Sequence, residues 1–291
     1  MRSGGSKIKK VAVFGSTGML GHLLHNYLKL NCNYKLYDFS YRKKLTSNTI
    51  IIDAKDKDQI KKILHDIRPN IIINCIGLLI QESEKDIENA VYLNAYFPHW
   101  LKGLCGEINC KLIHISTDCV FNGKEGNYSE NSIKNATDIY GRTKSLGEFE
   151  SNNHLCLRTS IIGPEIKENG KGLFHWLLNQ KGKIKGYQNV FWSGITTLEL
   201  SKAINYSIEK NISGLWNITN GDVISKFNLL EKIINHFSLK EIKLSPESDK
   251  RTDKSLISKR KINYSVPTYD YMLDELHEYL IKNESLYSYN Y

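Results

Sequence analysis

A tyrosine and a lysine four residues apart are the first candidates for chemistry. Tyr140 and Lys144 open a helical segment, so their side chains share one helix face. A free tyrosine has a pKa of about 10, and a nearby ammonium or a positive nicotinamide would lower that pKa. Such a tyrosine can protonate a carbonyl oxygen whose carbon receives a hydride, while the Thr117 hydroxyl holds the oxygen. A surface tyrosine beside a solvated lysine would show the same spacing.

Three glycines form a second candidate site. Gly15, Gly18 and Gly21 stand between the apolar run 11–14 and a helical stripe of leucines at 20–28. In a strand-to-helix turn, such glycines allow a tight bend, a close approach of a pyrophosphate and close packing of helix on strand. The free N–H groups at the helix N-terminus then face the phosphates. The pattern therefore predicts a dinucleotide site, with glycines that serve only turns and packing as the alternative.

Two kinds of side chain after the second predicted strand bear on the choice of dinucleotide. Asp38 could bond the ribose 2′-hydroxyl of NAD, whereas Arg42 and Lys43 could meet the 2′-phosphate of NADP. We favour NADP, because two adjacent cations suit a dianionic phosphate; a solvated charge run is the alternative. Asp53, at the end of the third predicted strand, is either an adenine contact or an ordinary helix N-cap.

Alternating strands and helices must position these residues. The strands are predicted at 11–14, 34–37, 49–52, 70–75, 112–116 and 155–158, and the helices at 20–28, 60–67, 87–104 and 139–152. Strands that are apolar on both faces and alternate with helices predict an α/β fold with a doubly wound, Rossmann-type parallel sheet. Ligands of such sheets bind at the carboxyl ends of the strands, where the candidate residues stand.

The division of the chain follows from where this alternation stops. We expect residues 1–6 to be a cloning-derived linker and residues 7–165 to form the dinucleotide-binding domain, to which 190–222 returns. Residues 166–189 and 223–291 are expected to form a small C-terminal substrate-binding domain. Within it, residues 240–263 are rich in Lys, Ser and Asp and predict solvated surface, and 285–291 predicts a frayed tail.

Composition narrows the class of protein. The 291 residues are 41% hydrophobic and 24% charged, which excludes a disordered or fibrous chain. No apolar stretch is long enough to span a membrane, no signal peptide is visible, and six scattered cysteines predict reduced thiols in a cytoplasmic enzyme without a metal site. The formal net charge of +9 predicts anionic ligands rather than nucleic acid, because no basic patch alternates with aromatic residues.

An ordered set of motifs resembles a known family. The set is Gly15-x-x-Gly18-x-x-Gly21, Leu-Asn94-Ala, Ser-Thr117-Asp118-x-Val-Phe-x-Gly123, Tyr128-x-Glu130, Tyr140-x-x-x-Lys144 and Gly147-Glu148. It is similar to the extended short-chain dehydrogenase/reductases, and most to the dTDP-4-dehydrorhamnose reductase group, over about residues 8–200. The resemblance implies that Thr117 is the catalytic hydroxyl, that Tyr140 is the acid, and that Lys144 orients ribose and tunes the tyrosine.

The resemblance also implies a substrate region. Asp118 would lie near the sugar, and Arg158 would belong to the turn into the substrate pocket. Cys119 replaces a tyrosine of the rhamnose enzyme, and Ser-Thr-Asp-Cys-Val-Phe looks more like relatives that act on N-acetylated UDP-sugars with a 4-keto group. A small packing residue is the favoured interpretation of Cys119 over a reactive thiol. Trp192 lies in a region that lines the sugar pocket of the relatives, with core packing as the alternative.

The sequence predicts three groups of site residues. The catalytic residues are Thr117, Tyr140 and Lys144. The substrate-binding residues are Asp118, Cys119, Arg158 and Trp192. The cofactor-binding residues are Gly15, Ser16, Thr17, Gly18, Met19, Leu20, Arg42, Asp53, Ala54, Ile76, Gly77, Asn94, Tyr140 and Lys144.

Together these features predict an NAD(P)H-dependent reductase, with NADP favoured, that acts on a nucleotide-bound 4-keto-6-deoxy sugar for surface polysaccharide synthesis. An epimerase or dehydratase that retains NAD is one alternative, although the acidic pair typical of dehydratases is absent beside Thr117. A non-catalytic, NADP-binding regulatory subunit is another. The family implies a homodimer through the helices at 87–104 and 139–152, with neither nucleic acid nor membrane as a partner.

Overall fold

A computed structural model describes residues 8–289 and shows strands and helices alternating along the chain. The strands are β1 Lys9–Phe14, β2 Tyr34–Ser40, β3 Ile50–Ile51, β4 Ile71–Asn74, β5 Lys111–Thr117, β6 Leu155–Thr159, β7 Ile161–Ile162, β8 Gly182–Tyr187, β9 Val190–Trp192, β10 Ile195–Thr196, β11 Gly214–Asn217, β12 Ile224–Ser225, β13 Ile242–Glu247 and β14 Thr252–Asp253. The helices are α1 Met19–Asn31, α2 Lys57–Ile67, α3 Ile80–Lys85, α4 Ile87–Ala90, α5 Phe97–Glu107, α6 Ile139–Gly147, α7 Leu173–Leu178, α8 Thr197–Glu209, α9 Lys226–His236 and α10 Tyr269–Lys282.

The main sheet has seven strands in the order β11-β6-β5-β4-β1-β2-β3. Every neighbouring pair in it is parallel. The chain winds outward from β1 through β2 and β3, and then returns to build the other half from β4 onward. The strand order therefore reverses between β1 and β4, which is where ligands of doubly wound sheets bind. The predicted α/β, Rossmann-type fold is confirmed.

Apolar side chains on both faces of the strands explain the layers. In β1, Val11 and Val13 pack into one buried cluster with α1, α8 and α10, whereas Ala12 and Phe14 pack into another with α2 and α5. Since successive side chains of a strand point to opposite faces, one apolar run fills two cores. The sheet is covered by helices on both sides, and its strand ends remain available for chemistry.

The single long helix predicted at 87–104 is wrong in one respect. The segment consists of α4, a π-helical turn at Val91–Tyr96 and α5. Pro98 stands in the first turn of α5, where it offers no N–H and its ring would clash with the carbonyl of Asn94 in a regular α-helix. The wider turn accommodates that ring and turns the Asn94 side chain fully into the interior. The helix predicted at 139–152 likewise ends earlier, at Gly147.

Three smaller sheets follow the main one, with orders β10-β7, β12-β9-β14 and β13-β8. The expectation that residues 240–263 are solvated surface is wrong for part of that segment. Ser255 and Leu256 are buried, and the backbone at 252–257 bonds to the loop after β5 through Asp253 N to Gly123 O at 2.7 Å and Tyr128 N to Ser255 O at 2.8 Å. The C-terminal part of the chain is therefore joined to the strand ends of the main sheet.

The C-terminal tail is ordered where it was expected to fray. The Tyr287 hydroxyl lies 3.0 Å from His22 Nε2, and the Tyr289 hydroxyl accepts a 2.8 Å bond from the backbone N–H of Glu165. These contacts fix the tail to α1 and to the loop before α7. The proposed division into domains stays a prediction. The linker expected at 1–6 and the last two residues, 290–291, lie outside the described residues.

Candidate active site

The glycine loop joins β1 to α1 and has the properties of a phosphate cradle. Gly18 is the N-cap of α1 and offers no side chain to cap it, so the first N–H groups of a 13-residue helix are left for another partner. A Cβ on Gly21 would lie 2.1 Å from the Gly15 carbonyl oxygen, so only glycine lets α1 begin this close to β1. Ser16, Thr17 and the first helical residues, Met19 and Leu20, line the same turn. These residues fit the pyrophosphate of a dinucleotide.

Asp38, the alternative contact for the ribose of NAD, is buried and hydrogen-bonded within the protein. Asp38 lies inside β2, which runs on to Ser40, and the carboxylate is 3% exposed. Its oxygens accept bonds from Ser16 Oγ at 3.2 Å and Thr49 Oγ1 at 2.6 Å. Asp38 therefore ties the glycine loop to β2 and to the segment before β3.

Arg42 and Lys43 remain available where β2 ends. Both side chains are exposed, and the Arg42 guanidinium lies 4.8 Å from the centre of the Tyr41 ring. Stacking of this kind holds a guanidinium in place without neutralising it. Arg42 and Lys43 stand two and three residues beyond the end of β2, and the sequence predicts them as contacts of a 2′-phosphate.

The ends of β3 and β4 complete the cofactor side of the cleft. Asp53 accepts a 2.9 Å bond from the backbone of Lys55, and the N-cap of α2 is Asp56, so Asp53 is not the helix cap that the sequence left open. Ala54 is buried and its carbonyl accepts the Tyr92 hydroxyl at 3.1 Å. Beyond β4, Ile76 and Gly77 lie in the loop that follows. The adenine contact of Asp53 stays a prediction.

Asn94 organises the loop after β4. Its Oδ1 accepts a 2.8 Å bond from the N–H of Leu78, and its Nδ2 donates to the Leu78 carbonyl at 3.2 Å and to Thr143 Oγ1 at 3.2 Å. A Cβ on Gly77 would lie 3.4 Å from Asn94 Oδ1. The amide thus joins the loop at 77–78 to α6. It holds the wall of the cofactor cleft, and its bonds are all to the protein.

Thr117, Tyr140 and Lys144 are brought together at the end of β5. The strand ends at Thr117, and α6 begins after Asp138, whose carboxylate caps the helix by accepting the Gly141 N–H at 2.7 Å. A Cβ on Gly141 would lie 2.2 Å from the Cys119 carbonyl oxygen, so glycine is required for α6 to touch this turn. The close approach places the Tyr140 hydroxyl in hydrogen-bonding contact with the Thr117 side chain.

Burial sets the protonation states of the tyrosine and the lysine. It raises the pKa of Tyr140 above its ordinary value, with Cys119 and Asp118 adding to the effect. It lowers the pKa of Lys144 to about 8. The expectation that Lys144 lowers the pKa of Tyr140 is therefore not met in this structure. The Lys144 ammonium instead donates a 2.7 Å bond to the Ile115 carbonyl, and Tyr140 is a protonated phenol at neutral pH.

Asp118 and Cys119 form the turn beside this group. Asp118 is 5% exposed and accepts the Thr117 hydroxyl at 3.1 Å. Burial raises the pKa of Asp118, and the ammonium groups of Lys254 and Lys226 oppose that rise. Burial and Asp118 raise the pKa of the Cys119 thiol to about 12, which favours the interpretation of Cys119 as a packing residue over a reactive thiol.

The prediction that Arg158 binds substrate is wrong. Its guanidinium is fully buried and forms a bidentate pair with Glu148, at 2.8 Å from Nε and 2.6 Å from Nη2. Nη1 donates to Asn217 Oδ1 at 3.1 Å, and the group lies 5.0 Å from the centre of the Phe121 ring. With its donors occupied inside the protein, Arg158 joins β6 to α6 and β11.

Trp192 packs in the main core and is 2% exposed. Its ring faces the Lys226 ammonium at 4.8 Å from the ring centre, and its contact with a sugar stays a prediction. Lys226 and Lys254 are functional candidates that the sequence reasoning missed. For Lys226 a signal was available, because a cation in the first turn of a helix opposes the helix dipole and needs another reason to stand there.

Other classes of site find no support within residues 8–289. No helix there is long and apolar enough to cross a membrane. No three side chains of His, Cys, Asp or Glu in this part of the chain are grouped so that they could hold a metal ion. None of the six cysteines, all of which are described, forms a disulfide.

The chain is similar in sequence to a known family and to individual proteins. A family model described as RmlD substrate binding domain matches residues 9–266. A dTDP-4-dehydrorhamnose reductase from Aggregatibacter actinomycetemcomitans is 28% identical over 166 residues, which are 55% of this chain and 54% of that protein. The chain thus spans about half the length of this relative. The spore coat polysaccharide biosynthesis protein SpsK from Bacillus subtilis is 24% identical over 95% of this chain and 98% of its own.

Two further similarities bear on fold and role. Methionine adenosyltransferase 2 subunit beta from Pongo abelii is 24% identical over 83% of this chain and 76% of its own. The crystal structure of dTDP-4-dehydrorhamnose reductase from Bacillus anthracis in complex with NADP superposes with a TM-score of 0.79 at 22% identity, and covers 93% of this chain and 99% of that one. At this identity the superposition shows a shared fold.

Proposed function

The chain belongs to the RmlD substrate binding domain family, and from that membership we propose that it is an NAD(P)H-dependent reductase of a nucleotide-bound 4-keto-6-deoxy sugar. The family is one of nucleotide-sugar reductases of the dTDP-4-dehydrorhamnose reductase type. One observation carries the proposal: Thr117, Tyr140 and Lys144 meet at a strand end of the sheet whose first turn is a phosphate cradle.

Each residue has a defined part in the proposed reaction. A reduced nicotinamide cofactor, when bound, supplies the hydride that reaches C4 of the sugar. Thr117 positions the C4 oxygen, and Tyr140 donates its proton to that oxygen, for which its raised pKa is suitable because the phenol must begin protonated. Lys144 orients the ribose and anchors α6 to β5. Asp118 accepts a bond from a sugar hydroxyl.

The cofactor preference in this proposal is NADP(H) over NAD(H). Two findings support it. The Arg42 guanidinium is exposed beside the end of β2, where it can bond a phosphate. The acidic alternative, Asp38, has its oxygens bonded to Ser16 and Thr49. The B. anthracis relative, whose crystal structure contains NADP, offers a parallel.

Two sugar classes fit the proposal, a dTDP-4-dehydrorhamnose-like sugar and a UDP-N-acetyl-4-keto-6-deoxyhexose. The Cys119 position favours the second, since a small side chain there leaves room that a tyrosine would fill. The similarity to SpsK over nearly the whole chain supports a role in surface polysaccharide synthesis. Exposed Ile87, Val91 and Leu146 support a homodimer through α4, the π-turn and α6.

A panel of nucleotide 4-keto sugars, each with NADPH or NADH, tests the proposal through the absorbance of the reduced nicotinamide. We expect one sugar class to consume NADPH in amounts equal to the product formed. Product that forms while the absorbance stays constant would instead show an epimerase or dehydratase that recycles its hydride. No product with any member of the panel would contradict the reductase.

The similarity to methionine adenosyltransferase 2 subunit beta supports one other candidate, a non-catalytic NADP-binding subunit. The two candidates differ in their need for the phenol. A Tyr140→Phe variant that restores the cellular phenotype of a deletion strain as well as the parent protein would favour the subunit. Loss of function in that variant, with NADPH binding retained, would favour the reductase.

A further inference from the structure

Lys226 and Lys254, the lysine pair, are carried by one small sheet. Lys226 begins α9 directly after β12, which pairs antiparallel with β9. Lys254 follows β14, which pairs parallel with the other side of β9. Both are half-buried. Because β12 and β14 run in opposite directions, the two lysines stand at opposite ends of β9. Lys254 lies against the loop that follows β5, since a Cβ on Gly123 would lie 2.9 Å from Lys254 Cγ.

The lysine pair is held in place but not neutralised. The Lys226 ammonium lies 4.8 Å from the centre of the buried Trp192 ring, which fixes the long side chain without supplying a negative charge. Neither ammonium has a hydrogen bond or an ion pair within 4.0 Å from the side chains and backbone of residues 8–289. Burial lowers the pKa of Lys226 to about 8, which shows that its charge is poorly solvated where it stands.

The lysine pair interacts electrostatically with Asp118, at the end of β5. The ammonium groups of Lys254 and Lys226 lower the pKa of Asp118. Asp118 and Cys119 in turn raise the pKa of Lys226. Tyr140 is influenced by Cys119, Thr117 and Asp118. Gly141, next to Tyr140, packs against the Cys119 carbonyl, and Lys254 packs against Gly123, so the turn and loop after β5 contact both the helix of the proton donor and one member of the lysine pair. One carboxylate opposes two cations, so the site has an excess of positive charge that a neutral sugar ring cannot offset.

We propose that Lys226 and Lys254 bind the diphosphate of the nucleotide sugar across the sugar ring from Tyr140. The proposal rests on the proposed function for the identity of the sugar. The binding of a diphosphate depends only on these two cations. The diphosphate of the dinucleotide is a separate ligand, because its cradle is the glycine loop between β1 and α1. The lysine pair fixes the distance between the bound diphosphate and the reacting carbon, and so selects sugars attached to a nucleoside diphosphate.

Calorimetric titration of the intact protein with UDP, dTDP, uridine and NADPH tests this proposal without turnover. Lys226→Met and Lys254→Met are compared with Lys243→Met, a matched control on the exposed strand β13. We expect each test variant to weaken binding of whichever nucleoside diphosphate the parent protein takes by about tenfold or more. NADPH binding should be unchanged, uridine should bind weakly to all four proteins, and Lys226→Arg should recover most of the affinity.

The outcomes separate this inference from the proposed function. Parent-like affinity for UDP and dTDP in both test variants would overturn the lysine pair as the diphosphate site, even if the protein reduces a 4-keto sugar. Equal loss of UDP and NADPH binding would also overturn it, because the effect would then be structural. Loss of nucleoside diphosphate binding alone, in a protein that turns over no sugar, would support the site and contradict the reductase. Thermal unfolding shows whether each variant folds. If Lys226→Met does not fold, the affinity of Lys254→Met tests the proposal.

Discussion

The Lys144 ammonium donates a 2.7 Å hydrogen bond to the carbonyl of Ile115, two residues before Thr117 on the same strand. The bond joins the helix that carries the proton donor to the strand that carries the hydroxyl partner. Gly141 allows the contact, because any side chain there would collide with the turn at Cys119. The distance between Thr117 and Tyr140 is therefore fixed by the fold before any ligand arrives, as preorganised catalysis requires.

Tyr140→Phe tests the proton donor. The variant removes only the hydroxyl, and general acid catalysis contributes at least about 100-fold, so we expect kcat to fall by that factor or more. NADPH affinity should remain close to that of the parent protein. Steady-state kinetics and fluorescence titration of NADPH measure the two quantities, with Tyr271→Phe, at an exposed position of α10, as the control. A kcat within a few fold of the parent would contradict the assigned role.

The pH profile of kcat/KM tests the two buried lysines. Burial lowers the pKa of both Lys144 and Lys226 to about 8. A lysine is charged below its pKa, so both charges should be lost as pH rises through about 8 rather than near the ordinary value of about 10.4. We expect log kcat/KM to fall above pH 8 with a limiting slope of about −2 in the parent and about −1 in Lys226→Met. A parent profile that stays flat to about pH 10 would show that neither charge is needed.

Arg42→Ala tests cofactor choice. If the exposed guanidinium bonds the 2′-phosphate, its loss should raise the dissociation constant of NADPH by about tenfold or more and leave that of NADH nearly unchanged. Fluorescence titration with each cofactor measures both constants. Arg251→Ala, also at an exposed position, serves as the control. A parallel loss of affinity for NADPH and NADH would contradict a phosphate contact.

Local patterns allowed the sequence to predict the core of the site. The glycine spacing needs only the strand and helix on either side of it, and the Tyr140–Lys144 spacing needs only one helix. In the structure the glycine loop stands between β1 and α1, and Tyr140 and Lys144 both lie in α6. The alternation of apolar runs also sufficed to predict the fold class, because a strand buried on both faces is apolar at every position.

The errors concern residues whose partners come from elsewhere in the chain. Arg158 lies near the end of β6, but Glu148 and Asn217 occupy its donors. The register of β11 on β6 brings Asn217 to it, and the packed end of α6 brings Glu148. Lys226 and Lys254 stand in segments without a motif, and contacts with residues distant in sequence place them, Lys226 against Trp192 and Lys254 against Gly123. Sequence spacing carries no information on such pairings.

The buried pair of Arg158 and Glu148 yields a prediction about stability. Arg158→Met removes one partner and leaves the carboxylate buried, which costs about 3–5 kcal/mol of unfolding free energy. The double variant Arg158→Met with Glu148→Leu should lose less, because no charge then remains buried. Urea denaturation measures both. An Arg158→Met variant as stable as the parent would contradict this prediction. A raised KM for the sugar in such a stable variant would restore the substrate role of Arg158.

An ion pair across the cofactor cleft yields the last prediction. Lys171 pairs with Glu82 on α3, and the Glu165 carboxylate folds their loop by accepting the N–H groups of Lys171 at 2.8 Å and Gly172 at 2.6 Å. A Cβ on Gly172 would lie 2.2 Å from the Met19 side chain, so this loop lies directly against the glycine loop. The pair therefore links the loop over the phosphate cradle to the wall after β4.

Lys171→Ala should release NADPH faster. Both partners are partly exposed, so the pair contributes at most about 1 kcal/mol, which corresponds to about a fivefold increase in the dissociation rate constant. Stopped-flow displacement of NADPH measures that rate, with Lys167→Ala on the same loop as the control. The charge-exchanged double variant Glu82→Lys with Lys171→Glu should return the rate toward that of the parent. If the exchanged variant releases NADPH as fast as Lys171→Ala, the ion pair does not retain the cofactor.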